Sequence, residues 1–158
     1  LDRENINLSP SAESLLFVAA RTQLMSEKIK PSLEQNKFVI CDRYTDSTIA
    51  YQGYGRGLNV KYLEELNKFA TDSIQPDITI ILDVDPEKAA IRMASDVPDR
   101  LESTGIHFFL RVREGYYEIA RRYPQRCVII DGSRTESEVF ELVLKELNNK
   151  LLKEMPCI

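Results

Sequence analysis

An acidic and a basic residue are adjacent in the sequence after a short apolar run, and together they could bind a metal ion and a phosphate. The stretch Cys41–Leu58 reads CDRYTDSTIAYQGYGRGL and contains Asp42 and Arg43. A carboxylate at the end of a buried strand can hold Mg²⁺, directly or through water, and a neighbouring guanidinium can hold a phosphate with two parallel hydrogen bonds. A strand-end ion pair would explain the same two residues, so the dipeptide alone leaves both readings open.

Two residues of a predicted helix, Phe17 and Arg21, add a second group to this candidate site. They lie four positions apart in FVAAR, and residues at this spacing share one face of a helix. The ring could stack on a base while the guanidinium hydrogen-bonds the edge of that base. A core Phe beside a solvent-exposed Arg is the alternative reading of the pentapeptide alone.

The elements that would position these residues are short apolar runs that alternate with helix-period segments. Apolar strands alternating with helices are typical of a parallel sheet covered on both faces, so the predicted fold class is α/β, with a three-layer parallel sheet flanked by helices. Ligands bind beyond the carboxyl ends of the strands in such sheets, and Asp42 follows the first predicted strand. The predicted strands are 38–41, 78–84 and 127–131, and the predicted helices are 10–29, 59–72, one from 85, one through 108–119, and 135–152.

Proline and glycine add two local expectations. Pro31 is expected to interrupt the first helix, because proline lacks the backbone N–H that a helix interior needs. Gly53, Gly55 and Gly57 are expected to form a turn that shapes a nucleotide pocket, since no strand directly precedes them and no Lys-Ser or Lys-Thr pair follows them.

Length, charge and cysteine usage exclude several classes of protein. A chain of 158 residues is expected to form a single domain over 1–158. The formal charge of −4 argues against a nucleic-acid partner, and no apolar run reaches the roughly 20 residues of a membrane span. The three cysteines are far apart and include no C-x-x-C pair, which predicts free thiols and a cytoplasmic location.

Seven collinear motifs resemble the bacterial thymidylate kinases, and together they cover nearly the whole chain. The block DRY…S…AYQG…GRGL is the most specific of them. The motifs are FVAARTQ (17–23), FVICDRY (38–44), DSTIAYQGYGRGL (46–58), PDITIILDVDPEKA (76–89), DRLES (99–103), FFLRVREGYYEIA (108–120) and VIIDGS (128–133).

The resemblance implies a P-loop nucleoside monophosphate kinase-like fold and transfer of the γ-phosphoryl group of ATP to dTMP, with Mg²⁺ as cofactor and a homodimer as the assembly. It also implies a role for each motif residue. Phe17 would stack on thymine, Arg21 would contact a thymine carbonyl, Arg43 would hold the dTMP phosphate, Asp42 would organise Mg²⁺ and its waters, Ser47 and Thr48 would lie near the base edge, Tyr51 would press on the deoxyribose, and Gln52 would support the same pocket.

Two departures from the family pattern accompany this resemblance. The segment that matches the mobile lid, about 93–101, has no arginine between Arg92 and Arg100, so these two are the candidates for a catalytic arginine. No G-x-x-x-x-G-K-[ST] phosphate loop occurs in the sequence. The first strands of the family are therefore expected to be absent from this chain, with a gap in the sheet between the strands at 38–41 and 78–84.

Two other functions remain as alternatives at this stage. A deoxynucleoside kinase also places an acid–arginine pair after a strand, although the YQG…GRGL block and FVAAR favour the monophosphate kinase. A nucleotide-binding remnant would bind dTMP without turnover.

Overall fold

The computed structural model describes residues 8–93 and 105–154. Strands β1 (Thr79–Asp83) and β2 (Cys127–Asp131) form its sheet, and two π-helical segments are π1 (Met25–Ile29) and π2 (Ile49–Gly55). The α-helices are α1 (Pro10–Leu24), α2 (Lys30–Glu34), α3 (Thr45–Thr48), α4 (Val60–Ala70), α5 (Pro86–Met93), α6 (Ile106–Arg122) and α7 (Glu136–Glu154).

The described residues separate into two compact units. The first contains 8–75 and 105–116, and the second contains 76–93 and 117–154. The single domain expected over 1–158, with its lid at about 93–101, stays a prediction because residues 94–104 lie outside the described part of the chain.

The second unit contains a parallel sheet. Strands β1 and β2 pair in parallel, from Thr79 opposite Cys127 to Asp83 opposite Asp131, and α7 packs against β2. This confirms the predicted α/β class with a parallel sheet. The helix predicted from residue 85 is also confirmed, because the side chain of Asp85 accepts a hydrogen bond from the backbone N–H of Glu87.

The strand predicted at 38–41 is wrong. The segment has no strand ladder in the described structure, and the side chains of Phe38 and Ile40 are 86% and 95% exposed. A short apolar run becomes a strand only where a neighbouring strand pairs with its backbone and covers its side chains. Among the described residues, the run at 38–41 finds neither.

The first helix begins as predicted but continues further. The hydroxyl of Ser9 accepts a hydrogen bond from the N–H of Ala12, and Pro10 occupies the first turn. Pro31 was expected to interrupt this helix, yet it lies at the start of α2 with helical residues on both sides. The π1 segment between α1 and α2 explains the difference, since its wider turn loosens the backbone ladder just before the proline.

The glycines after Tyr51 form a helix rather than the expected turn. Gly53 and Gly55 lie within π2, which continues directly from α3. Gly55 is needed for close packing, because a Cβ atom there would lie 2.6 Å from Cε2 of Phe108 and 2.9 Å from Cγ2 of Val112. Gly57 then ends the segment with φ of 76°, a conformation that glycine adopts without strain.

The helix predicted over 59–72 is present as α4. The side chain of Asn59 accepts a hydrogen bond from the N–H of Tyr62, and Leu63 and Ala70 are buried. No helix among the described residues is long and apolar enough to cross a membrane.

We predict that Gly55→Ala lowers the free energy of unfolding by about 1–3 kcal/mol, the usual cost of overpacking a filled core. Gly53→Ala is the matched control, since a Cβ there would lie no closer than 3.2 Å to its neighbours. Urea unfolding of both variants measures the difference. Equal stability of the two variants would show that Phe108 and Val112 do not limit the space at Gly55.

Candidate active site

Arg21 connects three segments of the first unit. Its guanidinium donates hydrogen bonds to Oδ1 of Asn67 at 2.7 Å, to Oγ1 of Thr48 at 2.8 Å and to the carbonyl of Tyr44 at 3.2 Å. Burial lowers the pKa of Arg21, and Tyr44 partly opposes that shift, but an arginine stays charged in any case. This Arg21 cluster (Arg21, Tyr44, Thr48 and Asn67) joins α1 to α3 and α4.

Phe17 lies one helical turn before Arg21 on the same face of α1, and its side chain is half-buried. A half-buried ring keeps part of its surface open to a ligand. The structure thus places Phe17, Arg21 and Thr48 on adjoining elements, and their predicted role in binding a base stays a prediction.

Arg43 packs on the ring of Tyr51. The guanidinium carbon lies 4.8 Å from the ring centroid, and Nη2 donates a hydrogen bond to the hydroxyl of Tyr51 at 3.2 Å. The backbone of Arg43 has φ of 65°, a left-handed conformation that costs a non-glycine residue about 1–2 kcal/mol. Backbone strain of this kind concentrates at functional sites, and Arg43 is exposed to solvent, so its guanidinium is open to a ligand.

An aromatic cluster of Tyr51, Phe108 and Tyr116 fixes the position of the Tyr51 ring. Tyr51 packs edge-on against Phe108 and Tyr116, with centroid distances of 6.0 and 6.4 Å. The hydroxyl of Tyr116 shares a 2.9 Å hydrogen bond with Oγ of Ser47. Ser47 was expected near the base edge, and the structure places its hydroxyl on Tyr116.

The ionisation of Tyr116 follows from this burial. Burial raises the pKa of Tyr116 to about 12, while the hydrogen bond with Ser47 lowers it by a smaller amount. The phenol therefore stays protonated at neutral pH, and its hydrogen bond with Ser47 persists.

A buried carboxylate, Glu13, holds the other end of the segment that carries Tyr51. Oε1 of Glu13 accepts a hydrogen bond from Nε2 of Gln52 at 2.9 Å, and Oε2 lies 3.3 Å from Nη2 of Arg56. The Arg56 guanidinium also lies 4.9 Å from the ring centroid of Phe108. We call Glu13, Gln52 and Arg56 the Glu13 cluster. The role predicted for Gln52 in supporting a nucleotide pocket stays a prediction.

Sequence reasoning missed Glu13, Arg56 and Tyr116. Glu13 lies four residues before Phe17, so helical spacing placed an acid on the face that was already singled out. Arg56 stands inside the GRGL motif, next to two of the glycines read as a turn. Tyr116 lies in the predicted helix through 108–119, and only the fold shows that its hydroxyl meets Ser47.

Asp42 is exposed, and its carboxylate is the one candidate magnesium donor that the sequence singled out. The described residues contain no group of three or more His, Cys, Asp or Glu side chains that could enclose a metal. Magnesium is usually bound through one or two carboxylates, with waters and substrate phosphates completing its coordination, so one carboxylate at Asp42 is a compatible donor.

The sequence predicted two lid arginines as catalytic residues. Arg100 lies outside the described residues, and so does the side chain of Arg92. Their predicted catalytic roles stay predictions.

Comparisons with known proteins give one consistent family. The thymidylate kinase family model matches residues 1–143. Thymidylate kinases of Kosmotoga olearia and Nostoc punctiforme are 43% and 45% identical over 140 and 146 residues. These alignments cover 88% and 91% of this chain, and 67% and 69% of the relatives.

A solved structure of thymidylate kinase from Ehrlichia chaffeensis is similar in fold, with a TM-score of 0.69 and 40% identity. The match covers 89% of this chain and 66% of that chain. The chain therefore spans about two thirds of the length of the relatives that it matches.

We predict that the buried hydroxyl of Tyr116 makes the folded protein less stable as the pH rises above 10. Between pH 10 and about 12 the unfolded chain has released the phenol proton and the folded protein has kept it, so stability falls as pH rises. The loss is about 1.4 kcal/mol for each pH unit in this window.

Tyr116→Phe should lack this contribution, because it has no proton to release. Urea unfolding from pH 9 upwards compares it with the wild-type protein, and Tyr62→Phe is the control for removing a hydroxyl from an exposed ring. The same pH dependence in wild type and Tyr116→Phe would refute the role of burial at this hydroxyl.

Proposed function

Because the chain belongs to the thymidylate kinase family, we propose that it transfers the γ-phosphoryl group of ATP to dTMP, forming dTDP. The observation that carries the proposal is the position of Arg43, an exposed arginine packed on Tyr51 in the unit that also contains Phe17 and Arg21. A stacking ring, two arginines and a second ring for the sugar match the parts of a nucleoside monophosphate.

The base-binding part consists of Phe17, Arg21 and Thr48. Phe17 offers a ring face for stacking on thymine. The hydrogen bonds of Arg21 engage its two terminal nitrogens, and its Nε–H makes no hydrogen bond within the described residues. That N–H would donate to a thymine carbonyl, and Thr48, which accepts a hydrogen bond from Nη2 of Arg21, would lie near the base edge. Ser47 would act indirectly, because its hydrogen bond to Tyr116 supports the Tyr51 ring.

The sugar and phosphate parts consist of Tyr51 and Arg43. Tyr51 is held edge-on by two rings, so it can exclude a 2′-hydroxyl by its position rather than by a hydrogen bond. Arg43 would hold the dTMP phosphate, and Arg92 and Arg100 would add positive charge from the lid. Phosphoryl transfer requires mainly alignment of the reactants and stabilisation of charge on the transferred group, and these residues provide both.

Asp42 would hold Mg²⁺ directly or through water. The metal, when bound, neutralises the charge that develops on the phosphate oxygens. Asp42 and Arg43 are adjacent, so the acid and the base of the dipeptide would act on one phosphate group from two sides.

Location and assembly belong to the same proposal. The proposed location is the cytoplasm, and Cys41 supports it as an exposed thiol outside any disulfide. A homodimer is supported by exposed apolar side chains on α1 and α4, among them Leu16 and Phe69. Small nucleotides are the proposed ligands, and the net charge of −4 gives no support to nucleic-acid binding.

A coupled assay of the complete protein with ATP and Mg²⁺ tests the function. We expect turnover of dTMP and much slower turnover of thymidine, because the Arg43 guanidinium needs a phosphate to bind. Preference for thymidine would indicate a deoxynucleoside kinase, and binding of dTMP without turnover would indicate a remnant site.

We predict that Arg43→Ala abolishes turnover while the protein stays folded, because Arg43 is exposed and its removal opens no cavity. Arg43→Lys should keep a small part of the activity, since it retains the charge without the planar fork. Lys37→Ala, which removes another exposed cation from the same unit, is the matched control and should behave like wild type. Near-normal turnover of Arg43→Ala would overturn the role of Arg43.

A further inference from the structure

Glu13 has no part in the chemistry proposed above, although its side chain is only 1% exposed and lies beside the site. A carboxylate buried this deeply is costly unless it is hydrogen-bonded and paired with a cation. Gln52 and Arg56 satisfy both needs. However, replacing a buried ion pair with apolar residues is often neutral or stabilising, so stability alone does not account for this cluster.

The spacing of the Arg21 cluster and the Glu13 cluster along α1 gives a second reason for a buried carboxylate at Glu13. Glu13, Phe17 and Arg21 follow one another at intervals of four on α1, so they lie along one face. Arg21 and Glu13 both bond to the segment 44–56, which faces α1. Arg21 bonds to Thr48 in its first half, and Glu13 bonds to Gln52 and Arg56 in its second half. Phe17 therefore lies between two polar attachments, each about 6 Å away along the helix axis.

The segment 44–56 needs such attachments to α1. Its second half is the π2 segment, a rare helix form that contains two conformationally free residues, Gly53 and Gly55. Tyr51 is adjacent to Gln52, so the hydrogen bond from Gln52 to Glu13 fixes the backbone next to the ring that faces the sugar. Arg56 supports the other side of that ring by packing on Phe108.

We propose that Glu13 is a positioning residue that acts through Gln52 and Arg56 to fix the separation of Phe17 and Tyr51, and thereby sets the preference of the site for a 2′-deoxynucleotide over its ribonucleotide counterpart. The inference rests on the proposed function, since it concerns how the same site reads the sugar. Exclusion of a 2′-hydroxyl requires the Tyr51 ring to stay in place. A misplacement of about 1 Å is enough to lower the rate by a large factor.

The test compares variants of the complete protein. Glu13→Gln keeps the shape of the side chain but removes the charge that holds Arg56. We expect the KM for dTMP to rise about tenfold and the ratio of kcat/KM for dTMP over ribothymidine monophosphate to fall about tenfold, as for loss of one charged hydrogen bond. The KM for ATP should stay unchanged, because the cluster faces the sugar and base.

A double exchange separates positioning from stability. Glu13→Gln combined with Gln52→Glu restores one amide–carboxylate pair with the same net charge, and it should recover most of the sugar preference. Ile130→Val in β2 is the control for a modest loss of stability, and it should leave the preference unchanged. Thermal melts of all variants record their stability in parallel.

Each result decides a different claim. A lower melting temperature of Glu13→Gln with an unchanged KM for dTMP and unchanged sugar preference would overturn the inference and leave the proposed function standing. Failure of the wild-type protein to turn over dTMP would overturn both. If Glu13→Gln does not fold, Arg56→Lys takes its place, since Arg56 is partly exposed, and the same fall in preference is expected, with no fall overturning the inference.

Discussion

The polar attachment of α1 to the segment from Tyr44 to Arg56 is the interaction on which the candidate site depends. Arg21 and Glu13, two turns apart on α1, hold that segment by hydrogen bonds to its backbone and side chains. An apolar contact alone would allow one helix to slide on the other, because dispersion and hydrophobic forces are not directional. Charged hydrogen bonds fix the register, and the side chains between them take defined places.

The same constraint explains why an irregular helix can carry functional residues. The π2 segment is a rare helix form, and it is supported by α1 on one side and by the rings of Phe108 and Tyr116 on another. That support lets Tyr51 hold Arg43 despite the strained backbone of Arg43. Flexibility in the local backbone is thus compensated by rigid neighbours, which is what a site that aligns two reactants requires.

Sequence patterns predicted the helices and the parallel sheet well, because amphipathic spacing and Asn, Ser and Asp caps act locally. They failed at 38–41, where an apolar run has the composition of a strand but no described partner. They also failed at Gly53 and Gly55, where packing against α4 and α6 overrode the signal for a turn. Arg21 and Arg43 were singled out by residue type and spacing, and Tyr51 by the family resemblance. Their support by Glu13 and Tyr116 was not, because contacts 39 and 69 residues apart in sequence leave no local pattern.

A crystal structure of the complete protein with dTMP tests the central claim most directly, because it shows where each part of the nucleotide lies. The account predicts the thymine ring stacked on Phe17, the sugar beside Tyr51 and the phosphate within hydrogen-bonding distance of Arg43. A nucleotide bound with its phosphate away from Arg43, or with its base away from Phe17, would contradict the account.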